Sequence, residues 1–132
     1  MEVAERKVVY DREDQLRQIQ SGLMPGEVLY AVYDGKGAGT GFLAVTDKRV
    51  IIQDKSYIGK KIAMISMPFN RIADVGVLSN QSVFGNYFST SEILIRTLGG
   101  DRHEIEFRGT DKARYIHDLI LHYITQDVRQ AT

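Results

Sequence analysis

Gly41-Phe-Leu-Ala-Val-Thr-Asp-Lys-Arg-Val-Ile-Ile-Gln-Asp-Lys55, continued by Gly59-Lys-Lys-Ile-Ala-Met-Ile-Ser-Met-Pro68, is the stretch from which the rest of the chain can be read. Phe42–Thr46 and Arg49–Gln53 are short β-branched and aromatic runs on either side of Asp47-Lys48, and Lys61–Met67 is a third run. Branched and aromatic side chains pack well on a pleated surface, so each run favours an extended chain. Asp47 supplies turn chemistry between the first two. Pro68, with no backbone donor and a fixed φ, suits the end of the third. Three consecutive antiparallel strands result, and no catalytic set of residues lies among them.

Upstream, Glu27–Asp34 is another strand, rich in Val and Tyr, joined to Phe42 through Gly35-Lys-Gly-Ala-Gly-Thr-Gly41. Before it, Leu16, Ile19 and Leu23 recur at i, i+3 and i+7, which predicts a helix over residues 10–23. Asp11 is its expected cap, Glu13 and Asp14 favour its first turn, and Met24-Pro25-Gly26 ends it. Residues 1–9 carry mixed charge and are expected to form a flexible N-terminus. Downstream, Ile72–Leu78 is a fifth strand, and Glu92–Leu98 with Arg102–Arg108 forms a hairpin around Gly99-Gly100-Asp101. Ile105 and Phe107 alternate with Glu104, Glu106 and Arg108, the pattern of a half-buried strand. Thr110 is expected to cap a last helix, over residues 110–128. Ala113, Ile116, Ile120, Tyr123 and Ile124 line one of its faces, with Leu119 beside them.

The 132 residues are expected to form a single domain over residues 10–132. A chain of this size buries about two-thirds of its unfolded surface without staples. With no cysteine, disulfides, thiolate zinc sites and cysteine nucleophiles are excluded. Seventeen Lys+Arg against seventeen Asp+Glu give no net charge, which argues against a nucleic-acid binder with a broad basic field. The N-terminus lacks a signal-like apolar run, and no window approaches the roughly 20 apolar residues of a membrane span. A cytoplasmic location is expected. No metal is expected, since His117 and His122 lie five residues apart, about 140° round a helix. His103 shares the parity of Ile105 and Phe107 and is expected at the inner edge or rim. No cofactor is expected either. Ser66, Ser79 and Ser82 lack a nucleophile-elbow context, so the chain reads as a non-enzyme.

Seven antiparallel strands can wrap into two near-orthogonal sheets whose open end an amphipathic helix can plug. With the strands so placed, residues 20–125 resemble the bacterial pleckstrin-homology (PH) domains. The resemblance rests on Thr46-Asp47-Lys48-Arg49 before Val50-Ile51-Ile52, on the basic turn Gly59-Lys60-Lys61, and on Ser66-Met67-Pro68-Phe69-Asn70-Arg71-Ile72. Gly26-Glu27 before the first strand also fits. It implies a mainly β fold: a PH-like barrel of about seven strands, preceded by a short helix and closed by a long C-terminal one. It also implies a non-enzymatic module, in a superfold that serves phosphoinositides, peptides and protein partners alike.

Three surfaces are candidates for contact. Gly35-x-Gly37-x-Gly39-x-Gly41 departs from phosphate-loop spacing and precedes a strand where a phosphate loop needs a helix, so it reads first as a strand connection. Lys48, Arg49, Lys55, Lys60 and Lys61, with Tyr57 and Ile58 between them, suit an anionic membrane surface at about 1 kcal/mol per well-placed base. They equally suit solvated turns that keep strands from pairing edge to edge. Val83, Phe84, Tyr87 and Phe88 flank a Gly-Asn turn in a polar stretch; exposed, they form a protein interface, and folded back, they close the barrel. The leading expectation is a protein partner or self-association. Peripheral binding to anionic lipid at the inner face of the membrane is the alternative.

Overall fold

In a computed structural model that describes residues 7–36, 41–54, 62–79 and 90–130, two sheets and two helices enclose the core. The elements run β1 (Val9–Tyr10), α1 (Glu13–Gln20), β2 (Leu29–Asp34), β3 (Phe42–Thr46), β4 (Arg49–Asp54), β5 (Ala63–Pro68), β6 (Ile72–Ser79), β7 (Thr90–Thr97), β8 (Arg102–Arg108) and α2 (Lys112–Gln130). Strands β1 to β5 form one sheet in that order, and β6 to β8 form the other. All pairings are antiparallel except β1 with β2, where Val9 lies beside Ala31 and Tyr10 beside Val32 in parallel.

The main core lies between the two sheets and α2. Leu43 and Val45 from β3, Val50 and Ile52 from β4, Ile93 and Ile95 from β7 and Phe107 from β8 meet Ala113, Ile116 and Ile120 of the helix. Each such large apolar side chain stabilises the fold by about 1.5–3 kcal/mol on burial. Tyr115, Leu119, Tyr123 and Ile124 pack partly buried around it, so α2 plugs the barrel with the face that its periodicity predicts. A turn of 3-10 helix at Phe69–Arg71 makes the corner between the sheets, and Leu98 N–H donates to the Arg71 carbonyl at 2.9 Å across it. At another corner Lys36 N–H donates to the Glu106 carbonyl at 2.7 Å.

A second, smaller core covers the outer face of the five-stranded sheet. Ile19 of α1, flanked by Val8, Leu16 and Leu23, packs on Val32, Phe42, Ala44 and Ile51. The unbroken apolar runs of β3 and β4 have this cause: both faces of those strands are buried.

Several expectations are corrected at the termini. The helix expected over residues 10–23 spans only Glu13–Gln20 and ends at Ser21 and Gly22. Asp11 is not its cap. The side chain of Asp11 accepts from Asp34 N–H at 2.9 Å and pairs with Lys112 Nζ at 2.6 Å, tying β1 to β2 and α2. Val9 and Tyr10, placed at the edge of a flexible terminus and in a helix, form β1 instead. For α2, Ala113 N–H is taken by Ser91 Oγ at 3.2 Å, while Thr110 Oγ1 reaches the Asp111 side chain. Ser91 in turn donates to the Gly109 carbonyl at 3.0 Å, so the helix start is fixed by a buried hydroxyl from β7.

Candidate interaction surfaces

The Thr46–Arg49 turn is organised around a buried carboxylate. Thr46 Oγ1 accepts the N–H groups of Lys48 and Arg49, at 3.0 and 3.1 Å, and donates to Glu27 Oε2 at 2.7 Å. Arg49 Nε meets the same oxygen at 2.8 Å and Arg49 Nη2 meets Glu27 Oε1 at 3.1 Å, a bidentate pair. The Arg49 guanidinium also donates to Ser66 Oγ and the Gly22 carbonyl. Met24 N–H completes the shell of Glu27 at 2.8 Å. The Glu27 side chain is fully buried and that of Arg49 is 18% exposed. Burial alone would raise the pKa of this carboxyl. The hydrogen bonds from Arg49, Met24 and Thr46, with the charge of Arg49, outweigh burial and hold it at about 2. Arg49 therefore leaves the candidate basic surface: it clamps the α1–β2 connection to β4 and β5.

Gly41 has an equally structural role. Its φ is +84°, and a Cβ there would sit on the Gln53 carbonyl oxygen of the adjoining strand. Only glycine fits, which accounts for this end of the glycine-rich loop without any ligand. Residues 37–40 of that loop lie outside the described residues.

Of the residues singled out for anionic lipid, Lys48 is described and exposed, while Lys55, Tyr57, Ile58, Lys60 and Lys61 lie outside the described residues. So do Val83, Phe84, Tyr87 and Phe88. Lys48 borders a groove of about 370 Å³ with Asp47, Pro68, Phe69, Asn70, Tyr123 and Gln126. Phe69 stacks on Tyr123 at 4.8 Å, and Tyr123 and Tyr30 share a hydroxyl hydrogen bond of 2.7 Å, which joins α2 to β2 beneath the groove. One cation and one carboxylate leave the groove walls without net charge. On the other side of the corner Phe69, Ile72, Ala73, Leu98 and Ile124 line a more apolar groove of about 350 Å³.

Both strands that leave this corner are sheet edges: among the described residues β5 pairs only with β4, and β6 only with β7. Around them Ile62, Met64, Leu78 and Leu98 stand exposed. The outer face of the three-stranded sheet is different. Glu92 lies opposite Glu106, with Glu104 nearby, and burial followed by these two like charges raises the Glu92 pKa. No group of three or more His, Asp or Glu side chains able to hold a metal occurs among the described residues. No helix among them is long and apolar enough to cross a membrane.

A family model described as a bacterial PH domain matches residues 23–122, from within the α1–β2 connection into α2. The chain belongs to the bacterial PH domain family. No curated protein and no solved structure matches it. The matched span takes in the Glu27–Arg49 clamp, both edge strands and the corner between them, and it leaves out β1 and α1. The layer that covers the outer face of the five-stranded sheet in this PH domain is thus an addition to the matched span.

Proposed function

We propose that this bacterial PH domain is a non-catalytic binding and assembly module, cytoplasmic, that engages protein, including further copies of itself. The observation that carries this reading is the pair of sheet edges at the Phe69–Arg71 corner, with Ile62, Met64, Leu78 and Leu98 exposed around them. Unpaired backbone donors and acceptors at an edge supply directional bonds, and apolar side chains beside them supply area. Val83, Phe84, Tyr87 and Phe88 belong to the connection between β6 and β7, and we assign them to the same contact.

Replacing Phe84→Ser together with Phe88→Ser tests the assignment. The expected result is a fall in native mass, or in capture of a protein partner, at an unchanged denaturation midpoint. Loss of folding instead would put these rings in the core and remove them from the interface.

A further inference from the structure

We infer that β5 is the edge through which two copies of this chain pair, antiparallel about a two-fold axis, so that the five-stranded sheet continues from one copy into the other. The inference rests on the assembly reading above and names its edge and its partner. Among the described residues four strands bound the two sheets, and three of them are protected in recognisable ways. β1 is two residues long. β6 carries an irregular register between Ile72 and Asp74, and Asp74 is held by Arg96 at 2.6 Å. β8 is dense in charge, with Arg102, Glu104, Glu106 and Arg108, and its Glu106 carbonyl is already taken by Lys36 N–H. Short length, bulges and charges are the usual devices that stop a sheet edge from recruiting another chain.

Within its own bounds β5 has none of these, and its nearest charges in sequence, Lys60 and Lys61, precede the strand. From Ile62 to Met67 the segment reads Ile-Ala-Met-Ile-Ser-Met, with no charge, and Pro68 stands only at its end. Its register with β4 is unbroken from Asp54 opposite Ala63 to Arg49 opposite Pro68. Ile62 is 60% and Met64 47% exposed. The same features select a second copy as the occupant. In an antiparallel pair about a two-fold axis, the residue at the axis faces itself, with Cβ atoms about 4.5–5.5 Å apart. A charge there would meet its own like. An uncharged strand is what self-pairing requires, and it offers nothing to steer a charged foreign strand.

Because the chain has no cysteine, single substitutions report the pairing cleanly. Ala63→Cys, Met64→Cys, Ile65→Cys and Ser66→Cys, oxidised in separate samples, are expected to give a covalent dimer with a maximum at one position, the one on the axis. In parallel, Ile62→Lys with Met64→Lys is expected to abolish a concentration-dependent dimer seen by sedimentation while leaving the thermal midpoint in place. If the lysine variant unfolds, the cysteine series decides, since it adds no charge. A wild-type chain that stays monomeric at every concentration overturns the pairing. A wild-type assembly that neither the lysines disrupt nor the cysteines trap also overturns it, and leaves the broader assembly reading standing on another surface.

Discussion

Arg49→Ala is expected to cost this domain about 3–5 kcal/mol, the largest effect of any single substitution at the turn, because it leaves a buried carboxylate without its cation. Glu27 is fully enclosed in the intact domain and takes two hydrogen bonds from the guanidinium, both of which the alanine removes. Chemical denaturation should show a lower midpoint at an unchanged slope. Replacing both partners by apolar residues, Glu27→Leu with Arg49→Met, is expected to cost less than Arg49→Ala alone, since neither charge is then stranded. The acid limb of stability carries the same signature. The Glu27 carboxyl lies at about 2 when folded, against 4.5 in its ordinary state. Its contribution, about 3 kcal/mol, is complete above pH 4.5 and is lost as pH falls through 2. The wild-type domain should weaken across that window, and Arg49→Ala should not show this loss. A stability within about 0.5 kcal/mol of wild type would mean that the pair is not a clamp.

Removing residues 1–22 is expected to be as damaging by a different route. The deletion leaves the residues matched to the family from 23 onward and strips Val8, Leu16 and Ile19 from Val32, Phe42, Ala44 and Ile51. It also frees the β2 edge now paired to Val9 and Tyr10. An apolar sheet face beside an open edge recruits other chains, so the truncated domain should bind hydrophobic dye and aggregate at temperatures the intact chain tolerates. The milder Ile19→Ala, which only hollows the small core, should cost about 2–5 kcal/mol by denaturation. A truncated domain that is monomeric and equally stable would show the N-terminal layer to be dispensable.

The contrast between these two regions explains what could be read in the sequence. The strands from Phe42 onward were legible to within two residues because apolar runs and Gly, Pro and Asp turns are local signals. In the N-terminal layer the helix was legible from Leu16, Ile19 and Leu23, with its ends set too wide, but β1 was not. β1 has two residues, too few for any period, and it is held by Asp11 contacts to Asp34 and to Lys112 on α2, a hundred residues away in sequence. A signal for the layer did exist: Phe42-Leu-Ala-Val45 and Val50-Ile-Ile52 are continuous apolar runs, and strands open to water on one face would alternate. Read that way, they call for a cover on the outer face.

The Thr46–Arg49 motif was visible as a family feature, but its chemistry was not, because its partner Glu27 lies 22 residues before Arg49 and is joined only by folding. Counting Arg49 with the exposed bases followed from reading charge without burial. The start of α2 teaches the same lesson, since Ser91 rather than Thr110 meets the Ala113 N–H. Lys55, Lys60 and Lys61 and the aromatic residues at 84, 87 and 88 are assigned on sequence chemistry alone.

Vesicle flotation of the intact chain tests protein assembly against lipid attachment most directly. Neutral and anionic vesicles are compared at low and at physiological salt, where exposed charges more than about 8 Å apart are screened. The expected result is no flotation under any condition, with the chain remaining in its self-associated form. Flotation with anionic vesicles that fades as salt is raised, and that Lys60→Glu with Lys61→Glu abolishes, would contradict the assembly reading and make this PH domain a membrane-surface adaptor.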